Sequence, residues 1–209
     1  LNNKQRILTT SRDLMNQQGA AAVGTHHMCE ALGISPGNLY YHFKNKEEII
    51  LALFQALESE FRAAFEVDSI SPVTPKDFAG YYLRTLDVAF DYRFFFRDLL
   101  YLLRRDEKLA ELYRALQLWA LERLESIAAQ VAREGHLHIP QSRPRYRSIA
   151  TNTWVIWSNW VSHIEISNGH NQITKKDMVQ GIQQIFDVLA GNLDKSFEKQ
   201  VRQHLIRAT

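Results

Sequence analysis

Leu32-Gly33-Ile34-Ser35-Pro36-Gly37-Asn38-Leu39-Tyr40-Tyr41-His42-Phe43-Lys44-Asn45-Lys46-Glu47 is the stretch that decides the fold. Gly33 can end one helix in a left-handed turn. Ser35 then caps the next helix, and Pro36 is tolerated at its first position because that N–H would have had no partner. Upstream, a short helix is expected from about Thr25 to Leu32, with Gly24 or Thr25 as its cap. Two short helices joined by a tight glycine connection make a helix-turn-helix, whose second helix offers its N-terminal residues to base edges in the major groove of DNA. Met28, Ala31, Leu32, Ile34, Leu39 and Phe43 fit its apolar underside. Pro36, Gly37, Asn38, Tyr40, Tyr41 and His42 are left facing outward. Two tyrosines and an asparagine are unusual on a merely solvated helix, and they can hydrogen-bond phosphates and bases. Lys46 adds a positive charge at the start of the following helix, beside backbone N–H groups that make an anion site.

Outward from this stretch the chain reads as helices throughout, with apolar residues at three- and four-residue spacing and no convincing strand alternation. One helix is expected over Asn3 to Gln18, stopped by Gly19. Asn45 opens another, with Glu48 three residues on, and Ile49 to Phe65 carry it out of the small head. Ser69 to Thr74 reads as a linker, and Thr74-Pro75 repeats the cap-plus-proline start. Helices follow to about Tyr92, from Arg93 to Arg104 and from Asp106 to Glu134, then a break from Gly135 to Pro144. A helix from about Arg145 to Ser167 ends at Asn168-Gly169. Thr174 caps a last helix, read without interruption to about His204.

Bulk properties fit this reading without proving it. The 209 residues are 45% hydrophobic and 23% charged, with a formal net charge of +2, so the chain is an ordinary packed domain or pair of domains. Near-neutrality does not exclude a nucleic-acid partner, because local charge distribution governs affinity for phosphate. The one cysteine, Cys29, rules out an intrachain disulfide and reads as a small core residue. No apolar run approaches a membrane span, and the opening residues lack a signal-peptide core, so no membrane contact and a cytoplasmic location are expected.

Asn3 to Leu57, and above all the quoted run, resembles the DNA-binding domain of TetR-family regulators. The resemblance implies an all-α fold. A three-helix helix-turn-helix domain would span residues 1–48, and a helical ligand-binding and dimerisation domain residues 49–209. It implies that Thr25, Tyr41, His42 and Lys46 hold phosphates and that Gly37, Asn38 and Tyr40 face bases. Pro36 or Tyr40 would pack on a thymine methyl, and His26 would sit near the groove. Gly24 departs from the pattern, since the family commonly has Ser or Thr there, and Cys29 stands where a small apolar residue is usual. The partners implied are a palindromic duplex operator, a second copy of the chain and a small effector.

The body carries all four tryptophans, and a cavity of large rings with a few polar groups is what small-molecule sites look like. Trp119, Trp157, Asn159 and His163 suit such a mixture, for a small hydrophobic or aromatic effector. Trp160, Ile164, Ile182, Ile185, Phe186 and Leu189 form apolar stripes at helical spacing, expected to build a four-helix interface between two subunits. A twofold protein would match a palindrome, with heads about 34–36 Å apart. No nucleophile motif, phosphate loop or metal-ligand set stands out, so no enzyme, cofactor or metal is expected; His136 and His138 read as exposed loop residues. The resulting expectation is a repressor released by an effector. The alternatives are an activator or ligand-independent regulator of the same fold, or a binding protein or enzyme with a vestigial head.

Overall fold

The structure, a computed structural model, describes residues 2–65, 72–139, 143–169 and 173–207. Its helices are α1 (Asn3–Gln18), α2 (Thr25–Leu32), α3 (Pro36–His42), α4 (Lys46–Ala63), α5 (Pro75–Asp91) and α6 (Arg93–Arg97). α7 (Leu99–Arg105), α8 (Glu107–Arg133), α9 (Arg143–Asn168), α10 (Lys175–Ala190) and α11 (Lys195–Arg207) complete them. No strand occurs among the described residues, where Leu137 and Leu193 form a bridge pair. The expected linker from Ser69 lies outside the described residues as far as 71.

Caps written in the sequence set most of the boundaries. Asn2 accepts from the Gln5 N–H at 2.9 Å, and Gln5 reciprocates. Ser35, Asn45, Thr74 and Thr174 each accept the N–H three residues on. Such caps satisfy donors at a helix start that have no partner within the helix. Gly33 ends α2 with φ +64°, a left-handed conformation that a side chain would strain.

α1, α2 and α3 close over Ile7, Met15, Val23, Met28 and Leu39, all buried, with Ile49 and Ile50 of α4 beneath them. Ala31, expected in that underside, is exposed; α2 is only two turns long and its core face is already filled by Met28 and Cys29. α4 continues into the body, where Phe54 meets Phe95 with ring centroids 5.2 Å apart, and Phe61 lies among Phe65, Trp154 and Trp157. α8 and α9 pack along each other, while α10 and α11 lie against α5.

Two expectations are corrected here. The last helix is two helices, broken after Ala190. Asp194 caps α11, accepting the N–H groups of Ser196 and Phe197 at 3.0 and 2.9 Å. The loop before α9 holds the break open: the His138 N–H donates to the Asn192 carbonyl and the Asp194 N–H to the His136 carbonyl. Second, the stripe read as a subunit interface lies in the subunit's own core. Ile164, Ile182, Ile185, Phe186 and Leu189 are buried within a single chain, where α10 packs on α9 and α5. Trp160 is only partly buried, its indole N–H donating to the Asp177 carbonyl at 2.9 Å. The outward residues of these two helices are others, among them Val155, Asn159, Ile166, Gln184 and Val188.

Gly181 makes the α9–α10 approach possible. A Cβ on it would lie 2.6 Å from the Trp160 ring. Gly181→Ala should therefore destabilise the fold by about 1–3 kcal/mol through overpacking, measured by denaturant unfolding. A neutral result would mean that the two helices have slack.

Candidate DNA-binding surface and body cavity

α3 presents what its spacing requires. Leu39 is fully buried, while Tyr40 is 50% and Tyr41 85% exposed. Pro36, Gly37 and Asn38 are exposed and His42 is half-buried. Exposed aromatic rings held on a rigid helix lose little entropy on docking, and their hydroxyls can donate or accept. Thr25, at the start of α2, stands with its hydroxyl 3.3 Å from the Tyr40 hydroxyl, so the two helix starts are joined across the turn. His26 is exposed beside them, its ring centroid 3.7 Å from that of His27. The structure thus joins Thr25 to Tyr40, leaves His26, Pro36, Gly37, Asn38 and Tyr41 exposed, and half-buries His42. Gly24 leaves the start of α2 without a side-chain cap; its own N–H donates to His27 Nδ1 at 3.0 Å.

Lys46 is not presented with them. Its ammonium turns back and donates to the Ala20 carbonyl at the α1–α2 corner. Partial burial there lowers its pKa. Near α3 the Lys44 side chain is 86% exposed, with its ammonium 3.9 Å from the Glu48 carboxylate.

That corner is also where the head is fastened to the body, a feature the sequence did not suggest. Asn16 donates to the Asp91 carbonyl at 2.8 Å and accepts from the Phe94 N–H at 3.0 Å. Arg97 donates to the Met15 carbonyl at 2.6 Å and lies 3.5 Å from Glu165. The Ala20 N–H donates to the Asp98 carboxylate at 2.6 Å. The short helix α6 and its end thus grip the end of α1, while Phe96 of the same helix packs on Trp157, ring centroids 4.9 Å apart.

Trp157 lines a small cavity of about 30 Å³ in the body, with Phe61, Phe65, Tyr81, Tyr82 and Trp154 around it. Tyr82 shares a hydrogen bond with Thr153, and burial pushes its hydroxyl pKa up. Tyr113, below the cavity rings, is likewise pushed up to about 12 by burial. Of the four residues expected to line an effector site, Trp157 does. Trp119 adjoins it through Phe61 and Phe65 without lining it. Asn159 and His163 do not belong to it. Both are exposed, Asn159 bonded to the Val155 carbonyl and the His163 ring tilted against Trp160 with centroids 4.9 Å apart.

Two family models cover the chain. The one described as bacterial regulatory proteins, tetR family, matches residues 7–53, and the one described as bacterial transcriptional repressor matches residues 56–201. The chain belongs to the TetR family of bacterial transcriptional regulators. Members of the TetR family are DNA-binding regulators rather than enzymes. The TetR-family regulator from Marinobacter aquaeolei, a solved structure, is 30% identical with a TM-score of 0.89, over 100% of this chain and 99% of that one. The regulator QacR of Staphylococcus aureus is 31% identical over 77 residues, 37% of this chain and 41% of QacR. The class C tetracycline repressor of Escherichia coli is 36% identical over 54 residues, 26% of this chain and 25% of that protein. The chain thus spans less than half the length of these two curated relatives. SmeT of Stenotrophomonas maltophilia shares the fold, with a TM-score of 0.65 at 16% identity over 94% of this chain and 93% of that one. Among the described residues no helix is long and apolar enough to cross a membrane, and no cluster of His, Cys, Asp or Glu is placed to hold a metal.

Proposed function

We propose that this TetR-family regulator is a homodimeric, cytoplasmic repressor that binds a palindromic operator and is released by a small apolar effector in the body cavity. The observation that carries the reading is the outward face of α3: buried Leu39 fixes the helix while Asn38, Tyr40 and Tyr41 stand exposed. Asn38 and Tyr40 read bases, with Gly37 allowing close approach and Pro36 or Tyr40 against a thymine methyl. Thr25, Tyr41 and His42 hold phosphates, with His26 at the groove edge. Lys44 takes the phosphate role expected of Lys46.

Residues 1–48 act as the reading head and 49–209 as the effector and dimer body, joined by the continuous α4. The exposed faces of α9 and α10 form the twofold contact, Val155, Ile166 and Val188 giving it apolar area. The effector shifts the equilibrium by its differential affinity for the released state. α6 is the mechanical link, since Phe96 touches the cavity ring Trp157 and Arg97 holds the end of α1. Arg97→Met should leave effector binding intact while weakening the effect of effector on DNA binding, read by titrating operator with and without effector. Unchanged coupling in that variant would remove α6 from the path.

Tyr40→Ala should relax base preference, with a loss on the order of 1–3 kcal/mol at the specific site, and leave binding to unrelated duplex nearly unaltered. Lys44→Ala should weaken all duplexes alike and reduce the salt slope by about 1. These are read by fluorescence anisotropy at several salt concentrations. Deleting the gene should raise expression from its target promoter, measured with a reporter fusion; a fall would make the protein an activator.

A further inference from the structure

We infer that Glu165 is a positioning residue which, by holding Arg97, fixes how the reading head sits relative to the subunit contact and so sets the spacing accepted between operator half-sites. The inference rests on the homodimer reading above and names the residue through which that geometry is held.

α6 packs against both α1 and α9. On the α9 side, Phe96 packs on Trp157, and its carbonyl accepts the Ser162 hydroxyl at 3.3 Å. Neither of those bonds reaches the head. Arg97 bonds in both directions. Its guanidinium donates to the Met15 carbonyl at 2.6 Å and lies 3.5 Å from the Glu165 carboxylate. The Met15 carbonyl also accepts the Gly19 N–H at 2.8 Å, so Arg97 is fixed onto the hydrogen bond that closes α1. Asp98, 3.9 Å from Arg97, holds the Ala20 N–H at the same corner. Arg97 therefore stands between two carboxylates, one fastened to the head and one carried by α9.

Glu165 adjoins the proposed twofold contact in the chain. The next residue, Ile166, is 83% exposed and belongs to that face. Two side chains, Glu165 and Arg97, thus connect the contact helix to the end of α1. Both are partly buried, so their attraction is screened less than that of an open surface pair. The second oxygen of Glu165, Oε2, is buried and has no hydrogen-bond partner. A half-matched carboxylate adds little net stability. What it supplies is direction, drawing Arg97 towards α9. Without it Arg97 keeps Asp98 and the Met15 carbonyl, so its charge is still paired while its direction is no longer fixed.

The consequence for DNA is specific. In a twofold molecule a tilt of each head about its joint moves the two copies of α3 towards or away from each other. A looser joint accepts more half-site spacings, and α3 still reads the same bases within each half-site.

The test is selection from a random duplex pool by the purified full-length parent, Glu165→Gln, Arg97→Met and the double variant. Glu165→Gln is expected to enrich the parent's half-site sequence. Its preference for the parent's spacing over neighbouring spacings should fall at least about fivefold, the low end of ordinary coupling between sites. Arg97→Met should lose the same preference, and the double variant should lose no more than Arg97→Met alone, because Glu165 acts through Arg97. A purely structural role would lower melting temperature and weaken every spacing alike. An unchanged spacing preference in a Glu165→Gln protein that melts like the parent, or additive losses in the double variant, would overturn the inference. Should Glu165→Gln fail to fold, Glu165→Met, of similar length and uncharged, is judged by the same criteria. If the parent itself enriches no inverted repeat, the homodimer reading fails and the inference falls with it; a sharp parental spacing retained in the variants overturns the inference alone.

Discussion

Phe61→Ala is expected to destabilise the body by about 3–5 kcal/mol, the usual range for removing a fully buried phenyl ring. Phe61 is 2% exposed and touches Phe65, Trp119, Trp154 and Trp157. It stands on α4, the one helix shared by head and body. Its loss leaves a void contiguous with the cavity, and the surrounding rings are too stiff to fill it. Denaturant unfolding followed by tryptophan emission reads the effect directly, because all four tryptophans lie in the body. A cost below about 1 kcal/mol would mean that the rings collapse into the space, and that the cavity is not held open by packing.

Leu39→Ala is the second large effect, about 2–5 kcal/mol on the head. Leu39 is fully buried and is the buried anchor of a helix only seven residues long. So short a helix has almost no stability of its own and depends on that contact. Loss of Leu39 should unfix α3 and abolish operator binding, while near-ultraviolet dichroism of the body tryptophans stays as in the parent. Retained operator affinity would show that α3 does not need to be rigid to read DNA.

How much was legible follows from where each determinant lies. The head was readable because its boundaries are local: Ser35-Pro36, Asn45 with Glu48, and Gly33 each act within four residues. The break between α10 and α11 was not, because it is held by His136 and His138 from a loop more than fifty residues away in sequence. An apolar stripe announces burial but not the partner, so Ile182, Ile185 and Phe186 were assigned to a second subunit when α5 and α9 of the same chain cover them. The misplaced cavity residues could have been found. Residues two apart on a helix do not share a face, so Asn159 cannot line what Trp157 lines, whereas Asn159 and His163, four apart, share the outward one. Lys46 was placed at the right helix start, but the Ala20 carbonyl that takes its ammonium lies 26 residues earlier and leaves no mark in the motif.

The fastening of head to body was also invisible in the sequence. Asn16, Arg97 and Asp98 are ordinary helix-end residues until folding brings the end of α1 against α6. Phe96 and Arg97, adjacent in the chain, then face a cavity ring on one side and the head on the other.

The central claim is that α3 reads duplex DNA as part of a twofold molecule. Selection of binding sites from a random duplex pool by the purified full-length chain tests it most directly, with Tyr40→Ala run in parallel. The expected result is enrichment of one inverted repeat whose half-sites are centred about one helical turn apart, or a nearby spacing, with bases near the half-site centres losing definition in the variant. Failure to enrich any sequence, or an identical motif from parent and Tyr40→Ala, would contradict it.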